Sequence, residues 1–135
     1  MARSVVVDSS FLVALLSRRD GHRAWATSQV PNLERPWLTC EAVISEAFHL
    51  LGDLGQPKLV EFLRRGVISP TFDLGDELKS VLDLMNNYAD VPMSLADACL
   101  VRMMEILANP VLLTTDGDFR LYRLHGRQVI PCLMP

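Results

Sequence analysis

The sequence is short of several things that whole classes of protein depend on. Its three cysteines, Cys40, Cys99 and Cys132, stand far apart and form no CxxC pair. A disulfide framework and a structural zinc site are both disfavoured, and reduced thiols inside a cytoplasmic protein are expected. The three histidines, His22, His49 and His125, show no metal-ligand spacing. No apolar run approaches the ~20 residues that a membrane span requires. Met1-Ala2-Arg3-Ser4 leads into only three valines before Asp8. That is too short for the ~7–15 apolar residues of a secretion signal. Positive charge is not in excess either: the formal net charge is −3. Proteins that hold nucleic acid by charge alone are usually basic, so a general nucleic-acid binder is disfavoured. An enzyme whose acidic site is neutralised by metal remains compatible with this balance.

What the chain does have is a globular composition. Of its 135 residues, 50% are hydrophobic and 21% charged, with a mean hydropathy of +0.21. That suffices for one core, and residues 1–135 are expected to form a single domain. Ser4-Val5-Val6-Val7 is a β-branched run that ends at Asp8 and predicts a buried strand entering a helix cap. Phe11, Leu12, Ala14, Leu15 and Leu16 give the helical stripe that follows. A second short helix is expected from His22 to about Val30, then a loop over Pro31–Pro36 and a strand at Trp37-Leu38-Thr39. Ala42, Val43, Ala47, Leu50 and Leu51 mark an amphipathic helix closed near Gly52 or Gly55.

Pro57–Arg65 predicts another helix, stopped by Gly66, and Val67-Ile68-Ser69-Pro70 a third strand. Leu74–Tyr88 is helical in pattern, and Ser94 begins a further helix. Val111-Leu112-Leu113, opened by Pro110, predicts the fourth strand, and Val129-Ile130 a fifth. Helices alternate with continuous apolar strands. The expected architecture is α/β, three-layered α/β/α, around a parallel sheet of four to five strands.

Ligands of open parallel sheets sit beyond the carboxyl ends of the strands. Asp8 follows the first strand, and Asp116 and Asp118 follow the fourth. Each acid also has an ordinary structural role to offer. Asp8 suits a helix cap, Asp116-Gly117-Asp118 suits a turn, and Ser94-Leu95-Ala96-Asp97 fits a capping box. Glu41 and Glu46 point roughly 140° apart on one helix, so a single metal site would not use both. Glu41 suits the helix dipole in the first turn, whereas Glu46 lies mid-helix at the edge of an apolar stripe and needs a partner there. Carboxylates gathered at one point raise each other's pKa, and a hard cation such as Mg²⁺ or Mn²⁺ relieves this. Such ions activate water and stabilise the leaving oxygen in phosphodiester cleavage.

Four segments carry a family likeness. They are Val5-Val6-Val7-Asp8-Ser9-Ser10, Val43-Ile44-Ser45-Glu46-Ala47-Phe48, Ser94-Leu95-Ala96-Asp97-Ala98 and Leu113-Thr114-Thr115-Asp116-Gly117-Asp118-Phe119. In this order, over nearly the whole chain, they resemble the PIN-domain nucleases, and among them the small VapC-type ribonuclease toxins. The resemblance implies a parallel sheet between helices with an acidic pocket at its carboxyl edge. It implies that Asp8, Glu46, Asp97 and Asp116 coordinate Mg²⁺ or Mn²⁺, that Asp118 matches a more variable acidic position, and that Ser9 and Thr114 line the pocket. It also implies an RNA substrate and a small antitoxin partner.

Arg18, Arg19, His22 and Arg23 cluster after the first helix and are candidates for RNA phosphate contact, or simply a solvated helix end. Leu54, Leu59, Val60, Phe62 and Leu63 are a candidate surface for homodimer formation. Two other functions share the fold class. A receiver domain would need an Asp after a central strand and a Lys near the last strand, but Gln128–Cys132 contains no Lys. A non-catalytic module would keep the fold and use its acidic pocket for a partner.

Overall fold

A computed structural model of the chain describes residues 2–135. β1 (Ser4–Val7) leads into α1 (Ser9–Leu16) and α2 (Arg23–Gln29), and a single 3-10 turn over Val30–Asn32 precedes β2 (Trp37–Thr39). α3 (Glu41–Arg64) connects to β3 (Ile68–Pro70), and α4 (Leu74–Asn87) and α5 (Leu95–Ile106) connect to β4 (Pro110–Leu113). A 3-10 turn over Gly117–Arg120 then leads to β5 (Arg123–Leu124), β6 (Gln128–Val129) and β7 (Cys132–Leu133).

The main sheet has the order β3-β2-β1-β4-β7, and each neighbouring pair is parallel. Its centre is β1 beside β4, in register Val5 to Val111, Val6 to Leu112 and Val7 to Leu113. All six of these side chains are buried. That accounts for the unbroken apolar runs, because a strand covered on both faces has no polar side to alternate with. β1 to β2 to β3 steps outward in one direction, whereas β4 lies on the other side of β1. Right-handed crossovers therefore put α1, α2 and α3 on one face and α4 and α5 on the other. The order in which strands are added reverses between β1 and β4, and an open α/β sheet has its ligand crevice at that point.

The fifth strand differs from the expectation. Gln128–Val129 pairs antiparallel with Arg123–Leu124 in a separate two-stranded ribbon, and the main sheet gains Cys132–Leu133 instead. Ile130 is buried, but it lies in the connection between the two. The expected dimer surface also changes. Leu59 is fully buried, and Phe62 and Leu63 pack against the same core, leaving Leu54 and Val60 exposed. The apolar side of that helical segment is turned onto its own sheet.

Within α3, one residue leaves helical geometry: Gly52, at φ 62 and ψ −165. The chain thus ends one helical segment at Leu51 and starts another beyond the kink, with Pro57 inside that second segment. A Cβ on Gly52 would meet nothing within 4 Å, so any cost of substitution comes from the backbone alone. Gly52→Ala is expected to lower unfolding free energy by ~1–3 kcal/mol, because this region is essentially glycine-only. Denaturant unfolding checks it, and an unchanged midpoint would contradict it. Among the described residues, no helix is long and apolar enough to cross a membrane.

Candidate active site

The site begins where β1 ends. The Asp8 N–H still donates to the Leu113 carbonyl at 3.0 Å, so the residue stays in register with β4 while its side chain turns to cap α1. One carboxylate oxygen, Oδ1, accepts from the Ser9 N–H at 2.7 Å. The other, Oδ2, accepts from the Ser10 hydroxyl at 2.8 Å and the Thr114 hydroxyl at 2.7 Å. Asp8 is thus the helix cap that its position suggests, but capping does not explain its burial. It is only 4% exposed. Burial pushes its carboxyl group up to about 6, and the charge of Asp97 adds to the rise. The Thr114 and Ser10 hydrogen bonds and the Ser9 N–H oppose it. A cap needs none of that desolvation.

Thr114, fully buried one residue past β4, links the two strand ends. Its hydroxyl lies 3.0 Å from that of Ser10 and accepts from the Asp116 N–H at 3.0 Å. The Ser10 hydroxyl also accepts from the Thr115 N–H at 2.9 Å. These bonds fix the loop carrying Asp116 against the start of α1. Asp116 caps the following 3-10 turn by accepting from the Asp118 N–H at 2.9 Å. Both acids are partly buried.

Glu46, on the first segment of α3, is brought in by Ser9. The Ser9 hydroxyl donates to Glu46 Oε1 and stands 3.4 Å from Asp8 Oδ1, so one serine spans both acids. Glu41, on the same helix, points elsewhere and lines a cavity beside β3, as the angle between the two positions requires. Asp97 sits in the first turn of α5 and completes the capping box with Ser94. Its Oδ2 accepts from the Ser94 N–H at 3.2 Å and lies 3.3 Å from the Tyr122 hydroxyl. Burial raises the pKa of Asp97, and the charge of Asp116 adds to it. Tyr122 is wholly buried and donates its proton to the Pro92 carbonyl. Burial, then the charges of Asp97, Asp118 and Asp116, holds its hydroxyl protonated well beyond the usual range.

One connected acidic set therefore spans the switch point. Asp8, Asp97, Asp116 and Asp118 act on each other or on the shared Tyr122 through charge, and Glu46 joins through Ser9. Among the described residues, no three His, Cys, Asp or Glu side chains close on a single point as a ready ligand set. The donors still suit a hard divalent cation in kind, being carboxylate and hydroxyl oxygens around a buried acid of raised pKa.

Ser10 and Tyr122 are part of this arrangement, and sequence reasoning passed over both. Ser10 had a visible signal, a second hydroxyl directly after the acid, whereas Tyr122 had none. Arg18, Arg19, His22 and Arg23 are exposed but are not brought to the acidic edge. Asp8 caps the start of α1, and these residues follow its other end, about 12 Å away for eight residues of helix.

Comparison with known proteins meets this geometry at the level of the family. The family model described as the PIN domain matches residues 5–124. The chain belongs to the PIN domain family. The matched span runs from the second residue of β1 through β5 and includes every acid described above. No curated protein matches the sequence. Among solved structures, one with a similar fold is Mycobacterium tuberculosis VapC20, described as a Sarcin-Ricin loop cleaving toxin. The two align with a TM-score of 0.74 and 21% identity, over 85% of this chain and 92% of that one.

Proposed function

We propose that this PIN domain is a metal-dependent endoribonuclease that hydrolyses RNA phosphodiester bonds, and that it is the toxin of a type II toxin–antitoxin pair. The observation that carries the nuclease reading is Asp8, a buried carboxylate of raised pKa at the reversal point of the sheet, with further carboxylates around it. A divalent cation would relieve that charge. Asp8, Glu46, Asp97 and Asp116 are the residues that would hold Mg²⁺ or Mn²⁺, with Asp118 at the rim. The bound ion supplies Lewis acidity, which lowers the pKa of water and stabilises charge on the leaving 3′ oxygen.

The chain's own groups prepare the site. Ser10 and Thr114 hold Asp8 Oδ2, and Ser9 orients Glu46 beside Asp8. The Ser94 N–H fixes Asp97 on one oxygen and leaves Oδ1 free of hydrogen bonds among the described residues. Arg18, Arg19, His22 and Arg23 are assigned to no part of the cut, given their distance from it. The toxin half of the proposal follows the likeness to VapC20, and it brings with it a small antitoxin partner and a homodimer. Leu50 and Leu54, at 57% and 92% exposed, and Leu78 and Leu82 on α4 offer apolar surface for such partners to cover.

Incubation with RNA in Mg²⁺ or Mn²⁺, and in EDTA, tests the chemistry. Hydrolysis by water leaves a 5′ phosphate and a 3′ hydroxyl, and EDTA abolishes it. A 2′,3′-cyclic phosphate end would instead mean attack by the RNA's own 2′-hydroxyl and would overturn the mechanism.

A further inference from the structure

Next to the acidic set, but outside it, lies a cavity of about 500 Å³. That is within the ~300–1,000 Å³ usual for ligand pockets. It sits where the carboxyl ends of β2 and β3 meet α5 and the start of α4. Cys40 and Cys99, both buried, lie at its base, and Glu41, Thr71, Phe72 and Asp73 are among the residues of its wall. It adjoins the candidate active site through the backbone on two sides. Cys40 follows Thr39, whose hydroxyl donates to the Val7 carbonyl directly before Asp8, and Cys99 lies two residues past Asp97. A strand of RNA placed with a phosphate at the acids has this cavity beside it.

The wall says what the cavity would take. It contains two carboxylates and no cationic side chain. Phosphate and other anions are therefore repelled. The half-buried ring of Phe72, with Pro70 and Leu74 beside it, provides apolar surface for a flat group. Glu41 is exposed and engages no hydrogen bond or ion pair among the described residues, and Asp73 uses Oδ1 to accept from the Asp76 N–H at 3.3 Å, leaving Oδ2.

We propose that this cavity is a specificity pocket for one unpaired base of the RNA, and that the base it favours is guanine. The proposal rests on the nuclease reading above for its substrate. An ionised carboxylate only accepts hydrogen bonds. Guanine presents two adjacent donors, N1–H and N2–H, on its pairing edge, and single-stranded RNA is read on such edges with the base stacked on an aromatic ring. Adenine and cytosine present one amino group beside an acceptor. Uracil presents one N–H between two carbonyl oxygens, which the carboxylates repel.

Two measurements on the full chain test this. A random-sequence RNA pool is cleaved in Mg²⁺ and the new ends are sequenced, and a random hexamer pool is captured in EDTA, where nothing is cut. Both use the wild type and the double variant Glu41→Gln/Asp73→Asn. Asparagine caps a helix as well as aspartate does, so α4 keeps its start. The wild type should favour guanine over uracil at one fixed position by about tenfold or more, in keeping with a two-bond base contact. The double variant should lose most of that preference, its cleavage at guanine falling toward that at the other bases.

Equal preference in wild type and variant overturns the pocket, as does a wild type indifferent to base. A variant that keeps its base preference but loses binding to an arginine-rich peptide overturns it too, since the pocket would then serve a protein. Capture of guanine-containing hexamers without any cleavage would support the pocket and sink the nuclease reading, so the two failures are distinguishable.

Discussion

Asp8→Asn is expected to reduce RNA cleavage by at least ~10³-fold, the scale seen when one member of an interdependent catalytic group is removed. Asparagine has the size of aspartate and keeps an oxygen to accept from the Ser9 N–H, and the hydroxyls of Ser10 and Thr114 can rotate to meet an amide. What is lost is the buried negative charge. No neighbour replaces it, because Glu46, Asp97, Asp116 and Asp118 are all more open to solvent. Circular dichroism and initial cleavage rates together check the expectation. A folded variant with near wild-type rates would remove Asp8 from the chemistry.

The second large effect is on stability and its pH dependence. In EDTA, Asp8 binds its proton more tightly folded, at about 6, than at the ordinary 3.8 of the unfolded chain. Between those values the folded state carries more protons, so stability falls as pH rises through this window and stays low above it. Asp97 is raised as well and acts in the same direction. A rise from 3.8 to about 6 in so buried a group corresponds to about 3 kcal/mol. Metal-free wild type should therefore be less stable at pH 7.5 than at pH 5. Asp8→Asn should flatten that slope and be the more stable protein at neutral pH. Added Mg²⁺ or Mn²⁺ should raise the melting temperature of the wild type at pH 7.5 and do little for the variant, since only a ligand bound to the folded state shifts the midpoint. Thermal melts at several pH values read all three. A wild-type stability that climbs from pH 5 to pH 7.5 would contradict the assigned effect of burial.

The parts of this molecule legible in its sequence are those that one local signal determines. β1 and β4 show as unbroken apolar runs because they are buried on both faces, and the acid after each then falls at a strand end. The capping box at Ser94 shows because both its bonds are local. What stays hidden is set by contacts far apart in the chain. Tyr122 meets Asp97 across 25 residues, and nothing around either residue announces it. Cys132–Leu133 becomes a strand only because β4 offers an open edge, and Gln128–Val129 is diverted by its pairing with Arg123–Leu124.

The helix around Leu59 shows an apolar stripe in sequence but not which way it faces. The cluster at Arg18 is near Asp8 in sequence yet removed from it in space, since a helix converts sequence separation into distance. The acids have local duties as well: Asp8, Asp97 and Asp116 all cap, so pattern alone leaves each one ambiguous. The burial of Asp8 and the charge interactions among the acids are features that ordinary caps do not require.

The most direct measurement is anomalous scattering from crystals of the protein soaked in Mn²⁺. A Mn²⁺ peak is expected at the carboxyl edge between β1 and β4, ~2.1 Å from a carboxylate oxygen of Asp8 and bound also by at least one of Glu46, Asp97 and Asp116, directly or through water. An ordered Mn²⁺ held elsewhere, with Asp8 still bound only to Ser9, Ser10 and Thr114, would contradict a metal-dependent site at these acids.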